Sequence, residues 1–411
     1  MTSTRRDFLQ RLGAAGIVSL GAIPPRFLSR AALAAPIASR DKRVLVLIQM
    51  AGGNDGLNTL VPYADPEYEK ARPGIRISKG QVLKLNDAVG LHPGLSGLRD
   101  LYEEGKLAIV QGVGYPNPDR SHFRSMDIWQ SAQPLNENPR DGWLGRALEW
   151  QFDRQPALAE GLSLGTDKLP LAFVSTRVNV PTLQRLEEFQ LVDGQSSAAN
   201  RQLIRATQRQ LASQPAAAGG ELDFLRRATT TALTSAERLK SLSASYRTNV
   251  DYPATALANK LKLIAQMLTA DLPARVFVVS LDGFDTHSQQ LPGHAALMAE
   301  LSGAIRAFEQ DLVEHKLTER VMLATYSEFG RRVVENGSLG TDHGAASMLF
   351  AVTPTGKAGL FGKYPSLTDL TDGDLKFNTD FRSIYATLLD KWLEIPSAGV
   401  LGGEFAPLPL V

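Results

Sequence analysis

Carboxylate and imidazole side chains follow three short apolar runs of this sequence. Asp55 comes after the first run, Asp285 and His287 come after the second, and Asp342 and His343 lie between glycines beyond the third. Carboxylate oxygens and imidazole nitrogens are common protein ligands of divalent zinc and manganese. The residue types and their positions therefore predict a divalent metal site.

Each of these segments also has a plainer interpretation. Asp285 could cap a turn beside a surface histidine, and Asp342 could bond its own backbone within a glycine-rich turn. The glycine-rich loop around Asp55 could cradle a phosphate through its N–H groups, although it matches neither the GxGxxG nor the GxxxxGK[S/T] pattern. A carboxylate at the end of an apolar run suits a metal better than a phosphate.

Ser121 is the candidate nucleophile. It directly precedes a helical pattern, and the free N–H groups of a helix start favour an ionised oxygen or a bound anion. Serine is equally a preferred N-cap residue, so a purely structural role stays open. Beside it, His122 could act as an acid, a base or a metal ligand, and Arg120 or Arg124 could hold an oxyanion with two hydrogen bonds.

Parallel strands must position these side chains. Nearly all-apolar runs rich in β-branched residues are typical of strands covered on both faces, and ligands of such sheets gather at the carboxyl ends of the strands. Alternation of these runs with helical patterns predicts a doubly wound, mainly parallel α/β domain. The candidate strands are 43–50, 107–113, 171–175, 275–281, 320–326 and 348–352, and the helical patterns are 95–102, 255–268, 296–317 and 381–393.

Residues 182–252 differ from the rest of the chain. They are rich in Ala, Gln, Arg and Ser and contain no strand-like run. We expect a helical insertion or cap within one domain that spans residues 35–411.

The first 34 residues are expected to be a targeting segment. The sequence TRRDFL at residues 4–9 is a twin-arginine signature, an apolar stretch follows it, and small residues around Ala34 supply a cleavage pattern. Cleavage is expected after Ala34, with Ala35 as a near alternative. The protein is then exported folded to the periplasm or secreted, with the twin-arginine translocase as its partner during export.

Composition excludes several classes of function. Removal of the targeting segment takes five of 44 basic residues and one of 43 acidic residues, which leaves 39 and 42 and a net charge of −3. Such a balance argues against nucleic-acid binding, which normally shows a basic excess. The chain has no cysteine, so disulfides and thiolate metal sites are excluded, and no stretch is apolar enough to predict a stable membrane span.

The motifs taken together resemble an exported bacterial family, domain of unknown function 1501. The resemblance covers nearly the whole mature chain and rests on the twin-arginine leader and the segments GGNDGLNTLVPY, RSHF, GFDTH, SEFGRR, GTDHG and TDFR. The order of the strand-end residues also resembles the alkaline phosphatase and sulfatase superfamily. This resemblance implies an alkaline phosphatase-like fold and a metal-dependent hydrolase of phosphate or sulfate esters, with a small-molecule or polymer substrate.

The superfamily resemblance implies a role for each matched residue. Asp55 stands at its first metal-binding Asp, Ser121 at its nucleophile, and Asp285 with His287 at the Asp/His pair of one metal. A conventional sulfatase is disfavoured because its formylglycine arises from a C/S-x-P/A-x-R pattern. The chain has no cysteine, and the one serine match, at Ser197, lies in the polar insertion.

The later segments match the superfamily in two alternative registers. In the first, Glu328 replaces a ligating Asp, Phe329 replaces a ligating His, and His343 is the final metal-binding His. In the second, Asp342 and His343 form the Asp-His pair and the final His is missing.

The first register implies two unlike metal centres. One centre has Asp and two His, whereas the other has only oxygen ligands, from Asp55 and Glu328 with Asp342 as a further candidate. Oxygen ligands suit calcium, magnesium or manganese better than zinc. The change at Phe329 favours an alternative function, a non-catalytic binding or structural protein that retains the fold and one structural metal.

Overall fold

The computed structural model describes residues 43–154, 161–165, 168–178, 180, 182–183, 246–271, 274–354 and 357–411. The expected targeting segment and Ser197 lie outside these residues. Thr182 and Leu183 form a short strand, but residues 184–245 of the expected helical insertion are also outside. The targeting segment and the insertion therefore stay predictions.

The apolar runs form the strands. Those at the centre of the sheet are buried along almost their whole length, as expected when both faces of a sheet are covered. The described strands are β1 (Val44–Ala51), β2 (Leu60–Val61), β3 (Leu83–Lys84), β4 (Gly90–Leu91), β5 (Leu107–Gly114), β6 (Gly161–Leu164), β7 (Thr182–Leu183), β8 (Val276–Asp282), β9 (Val321–Tyr326), β10 (Ser347–Val352), β11 (Gly359–Phe361), β12 (Leu370–Thr371), β13 (Asp374–Leu375) and β14 (Thr379–Asp380).

The helices lie between the strands along the chain. Among the described residues, none of them combines the length and the apolar character that crossing a membrane requires. The described α-helices are α1 (Gly56–Thr59), α2 (Pro66–Ala71), α3 (Ser96–Glu103), α4 (His122–Ser131), α5 (Trp143–Arg154), α6 (Ala256–Thr269), α7 (Gln290–Glu314), α8 (Phe381–Ala386) and α9 (Ser397–Leu401), and a π-helix follows α8 at Thr387–Leu393.

One large, mainly parallel sheet organises the described residues. Its strand order is β11-β5-β10-β9-β1-β8-β6-β7, with β14 beside β5. β1 pairs in parallel with β8 and β9, whereas β10 is antiparallel to β5 and β9. The doubly wound α/β prediction is confirmed in this described part.

Helices cover both faces of the sheet. Leu45 and Leu47 of β1 pack in one core with Trp129 of α4 and Trp143 of α5. The residues between them in β1 face the opposite side because side chains alternate along a strand. On that side α6 contacts β8, and α7 contacts α6 and α3.

Five of the six predicted strands are confirmed with their ends within one residue, and the sixth is wrong. Residues Leu171–Phe173 instead form a turn of 3₁₀-helix against α5. The strand that lies beside β8 in this part of the chain is β6, which the sequence did not predict. A short apolar run does not distinguish a strand from a buried helical turn, because both hide all of their side chains.

The sheet topology brings five loops to one edge. β1, β5, β8 and β9 run in the same direction, so their carboxyl ends meet there, and antiparallel β10 begins at the same edge. The loops that meet are 52–55, 115–121, 283–289, 327–331 and 340–346.

Candidate metal centre

Four side chains from these loops converge, and we call them the metal cluster: His122, Asp285, His287 and His343. Oδ1 of Asp285 lies 3.1 Å from Nε2 of His287, 3.2 Å from Nε2 of His343 and 3.5 Å from Nε2 of His122. The Nε2 atoms of His287 and His343 are 2.9 Å apart. Two ligands of a tetrahedral ion with bonds of about 2.0–2.1 Å are separated by about 3.3 Å, so these spacings fit a zinc-sized ion.

The outer nitrogen of each histidine has an oxygen partner. In His122, Nδ1 lies 2.9 Å from Oε1 of Glu328. In His287, it lies 3.2 Å from Oδ1 of Asp342. In His343, it lies 2.7 Å from the carbonyl oxygen of Arg120. Because a carboxylate or carbonyl oxygen only accepts, these partners assign the proton to Nδ1. With the proton on Nδ1, each ring turns the lone pair of Nε2 toward the cluster, as a metal ligand must.

One nitrogen of His122 independently indicates that a cation belongs in the cluster. Its Nε2 atom is buried and has no hydrogen-bond partner among the described residues. Burial also lowers the pKa of His343, against the opposing effect of the hydrogen bond that its Nδ1 donates to the Arg120 carbonyl. A bound cation would satisfy the inward-facing Nε2 atoms and the buried, unpaired nitrogen of His122, so the residues fit a metal.

Arg331 holds Asp285 in its charged form. Burial would raise the pKa of Asp285, but the hydrogen bond and the positive charge of Arg331 lower it to about 2. Nη2 of Arg331 donates to Oδ1 of Asp285 at 2.7 Å. The same buried guanidinium also donates to the carbonyl oxygens of Gly52, Gly53, Phe284 and Thr341, so it ties three loops together.

The loops after β1 and β8 touch at a glycine. Gly52 has φ +118°, and a Cβ atom there would lie 2.4 Å from the backbone nitrogen of Asp285. Its own N–H donates to Oε1 of Glu328 at 2.8 Å. Any side chain at this position would therefore push the loop of Asp285 away from the cluster.

Phe329 forms an apolar wall of the cluster. Its ring centroid lies 4.9 Å from that of His122 and 4.7 Å from that of His343. This buried ring occupies the position where the first register of the superfamily resemblance expects a ligating histidine. It packs against two imidazole rings of the cluster but supplies no atom that could bind a metal.

The six predicted metal ligands are placed in three groups. Asp285, His287 and His343 lie in the metal cluster itself. Glu328 and Asp342 lie behind His122 and His287, as partners of their Nδ1 atoms, so the structure positions them to orient ligands.

Asp55 is not brought to the cluster. Its buried carboxylate pairs with Nη1 of Arg72 at 2.5 Å, and it accepts hydrogen bonds from Gln290 and from the backbone N–H of Leu57 at the start of α1. Burial alone would raise the pKa of Asp55, but the charge and hydrogen bond of Arg72 hold it below its usual value. The structure thus places Asp55 away from the metal cluster, where a buried arginine neutralises its carboxylate.

The side chains around Asp55 form what we call the buried network. Thr59 donates to Asn54, and Nε2 of His294 lies 3.2 Å from the same Asn54 oxygen. Burial lowers the pKa of His294 to about 4. The network consists of Asn54, Asp55, Asn58, Thr59, Arg72, Gln290 and His294.

Of the predicted catalytic residues, Ser121 and His122 lie next to each other at the start of α4, whereas the two arginine side chains bind other partners. Ser121 is exposed at the N-cap of α4, next to His122, and its side chain makes no capping hydrogen bond. The side chain of Arg120 pairs with Asp374 at 2.6 Å, and that of Arg124 donates to two backbone carbonyls after α4. The structure therefore does not bring either predicted guanidinium to the cluster.

Sequence reasoning missed the role of Arg331. The residue stands in the segment SEFGRR, which was noted only as a family motif. An arginine that follows a strand end by a few residues is a usable signal, because strand-end carboxylates require a counter-charge when they are partly buried.

Several solved structures are similar to this chain at low identity. They include the C-terminal periplasmic domain of EcEptC from Escherichia coli in complex with Zn (10% identity, TM-score 0.36, 76% of this chain and 72% of that one). The PsFucS1 sulfatase from Pseudoalteromonas sp. matches with 12% identity and TM-score 0.38 over 95% and 75% of the two chains. A protein in the alkaline phosphatase superfamily from Vibrio parahaemolyticus matches with 7% identity and TM-score 0.38 over 92% and 74%.

None of the curated proteins matches the chain. A family match covers residues 41–368, which include every member of the metal cluster and every strand-end loop described above. The expected family is thereby confirmed: this chain belongs to the family described as "Protein of unknown function (DUF1501)".

Proposed function

We propose that this protein is an exported hydrolase of phosphate or sulfate esters that uses one divalent metal ion held by the metal cluster. The observation that carries the proposal is the arrangement of three imidazoles, each with Nδ1 bound to an oxygen and Nε2 turned toward the Asp285 carboxylate. Three nitrogen ligands and one carboxylate favour zinc, or manganese, over calcium and magnesium, which prefer oxygen ligands.

A substrate has access to this centre from one side. The side chains of Asp285 and His287 are 47% and 44% exposed, whereas Glu328 behind His122 is only 2% exposed. When bound, the metal supplies Lewis acidity, which polarises the ester and favours an ionised nucleophile. The exposed side therefore faces the substrate, and the buried side holds the ligand rings in place.

Ser121 is the proposed nucleophile. It is exposed beside His122, and its hydroxyl is free of a capping bond to α4. The N–H groups at the start of α4 are suited to the developing negative charge of the ester oxygens. Arg331 is unsuited to that task because its nitrogens already donate to Asp285 and to four carbonyls.

One observation favours a second candidate function, a non-catalytic exported protein with a structural ion. Four protein ligands fill a tetrahedral coordination shell, and closed shells are typical of structural zinc sites. Under this alternative the metal raises stability and the protein shows no turnover.

Metal analysis combined with an ester screen separates the two functions. We would measure metal content by plasma mass spectrometry and turnover of aryl phosphates and aryl sulfates for the mature wild type, purified without chelator. The proposal expects about one metal per chain and turnover that chelator removes. The double variant Asp285→Ala/His343→Ala should lose both.

Ser121→Ala is the matched control, because it should keep the metal and lose turnover. A stoichiometric metal that raises the melting temperature without any turnover supports the structural alternative. Wild type without metal would overturn both, and full activity in Ser121→Ala would leave an activated water as the nucleophile.

A further inference from the structure

Five oxygen atoms surround the guanidinium of Arg331 beside the metal cluster, and we call them the oxygen cage. One is a carboxylate oxygen and four are backbone carbonyl oxygens, and they belong to Asp285, Gly52, Gly53, Phe284 and Thr341. They come from the loops after β1 and β8 and from the loop before β10. The side chain of Arg331 is 0% exposed, so the guanidinium fills the cage without help from solvent.

The oxygens of this cage are of the kind that binds cations. Carboxylate and carbonyl oxygens are the ligands of calcium and similar hard cations, and their burial without a partner would cost free energy. In this cage Nε donates to Gly53 at 2.7 Å, Nη1 to Thr341 at 2.9 Å and Nη2 to Phe284 at 2.9 Å. A cation that belongs to the chain itself therefore occupies the cage.

One oxygen of Asp285 is shared between the oxygen cage and the metal cluster. This Oδ1 atom accepts from Nη2 of Arg331 at 2.7 Å, and it lies 3.1 Å from Nε2 of His287 and 3.2 Å from Nε2 of His343. The guanidinium therefore fixes the carboxylate on one side, while the other side faces the cluster. Because a guanidinium is always protonated and is tethered to the chain, this positioning does not depend on the concentration of any ion.

The residues implied for a second, oxygen-ligated metal are engaged elsewhere. Asp55 pairs with buried Arg72, whereas Glu328 and Asp342 each face a histidine of the metal cluster. Outside the metal cluster, no group of three or more acidic or histidine side chains among the described residues converges closely enough to hold an ion. The described residues therefore do not fit a second metal ion.

We infer that Arg331 serves as the second cation of this centre in place of a metal ion, and that it positions Asp285 to bind the one metal of the cluster. The inference rests on the metal-binding part of the proposed function and requires no turnover. The charge of Arg331 by itself repels a metal ion, so a loss of metal affinity in its absence can arise only from lost positioning. Wild type should therefore bind one divalent ion per chain, and removal of the guanidinium should weaken that binding.

Small-molecule rescue tests the role of the guanidinium. Arg331→Ala leaves a space for free guanidinium or for urea, which have similar planar shapes but differ in charge. We would measure metal affinity, by competition with a coloured chelator, and melting temperature in the mature protein with each compound well below denaturing concentrations. Arg331→Ala should bind the metal about 10–100-fold more weakly than wild type. Guanidinium should restore most of this affinity and urea little of it, because hydrogen bonds from a charged donor are about twice as strong.

Further variants separate the charge of Arg331 from its volume and from general stability. Arg331→Lys keeps a cation with three donors and should retain more metal affinity than Arg331→Met, which is uncharged. Arg72→Met is the matched control, since it removes a guanidinium that is also 0% exposed but lies in the buried network. It should lower the melting temperature and leave the metal affinity unchanged.

Three results would overturn the inference: unchanged metal affinity in Arg331→Ala, equal rescue by urea and guanidinium, or two divalent ions per chain when wild type is dialysed against excess calcium, magnesium or manganese. If Arg331→Ala does not fold, the comparison of Arg331→Lys with Arg331→Met and the wild-type stoichiometry decide. A metal-free wild type would overturn the proposed function. The melting temperature then tests the cage, since guanidinium but not urea should stabilise Arg331→Ala, and equal melting temperatures with the two compounds would overturn the inference as well.

Discussion

The metal cluster and the buried network contain the same kinds of residues but satisfy their charges differently. In the buried network, the carboxylate of Asp55 meets a guanidinium and an amide, so the protein itself neutralises it. In the metal cluster, three imidazoles turn unprotonated nitrogens toward Asp285, and Arg331 offsets that carboxylate only in part because it also donates to backbone carbonyls. The comparison teaches that an Asp at a strand end becomes a ligand or an ion-pair partner according to which groups surround it.

The largest effect on stability is expected in the buried network. Arg72→Met should lower the free energy of unfolding by about 3–5 kcal/mol, because it leaves the buried Asp55 carboxylate without a counter-charge. Arg76→Met, which removes a solvent-exposed ion pair with Glu69, should cost about 0–1 kcal/mol. Urea denaturation measures both.

A double variant tests whether the lost stability comes from the isolated Asp55 charge. Arg72→Met/Asp55→Leu should recover part of the lost stability, since no isolated charge stays buried. Equal losses for Arg72→Met and Arg76→Met would contradict the role given to this ion pair. Asp55→Asn should keep the metal, since its carboxylate lies outside the cluster.

A smaller effect is expected from the residues that orient the cluster. Glu328→Gln should weaken metal binding by about 10–100-fold, because it removes the carboxylate behind His122. Asp342→Asn should have a smaller effect, since the Asp342 side chain is 56% exposed and solvent can replace it. Competition with a coloured chelator measures the affinities, with Glu335→Gln as a control outside the cluster. Unchanged affinity in Glu328→Gln would argue against the assigned orientation of His122.

The last expected effect is a pH dependence of the buried network. Burial lowers the pKa of His294 from 6.5 to about 4, so unfolding takes up a proton between these values and stability falls as pH drops from about 6.5 to 4. Asp55 partly opposes this shift, and Arg72 and Arg331 add to it. The expected slope from this group is at most about 1.4 kcal/mol per pH unit.

Urea denaturation of metal-free protein at several pH values checks this dependence. His294→Gln should flatten the slope without removing it, because burial also lowers the pKa of His92 to about 4. The same slope in wild type and in His294→Gln would show that another group titrates.

The fold was predictable where one physical pattern decides the element. Runs that are mostly apolar and β-branched or aromatic, such as 321–326, have few alternatives to a buried strand. The long helix α7 shows its apolar stripe in the sequence. The error at 171–175 arose where four apolar residues followed by a serine suit both a strand and a buried helical turn. The short strand β6 gave no signal, since it has too few residues to show a period.

The location of the site in the sheet could be predicted from the sequence, but the contacts between its side chains could not. Asp285, His287 and His343 were expected at the carboxyl edge of the sheet, and parallel strands bring them there. The roles of Glu328 and Arg331 were hidden because each acts through a residue on another loop.

The sequence by itself determined the residue types, the buried strands and the edge at which the polar loops gather, because these follow from local patterns of hydrophobicity. Only the tertiary structure decided that Asp55 pairs with Arg72, that Glu328 lies behind His122, and that three Nε2 atoms face one carboxylate. Those outcomes depend on contacts between loops that are distant in the chain, and local patterns of hydrophobicity do not specify such contacts.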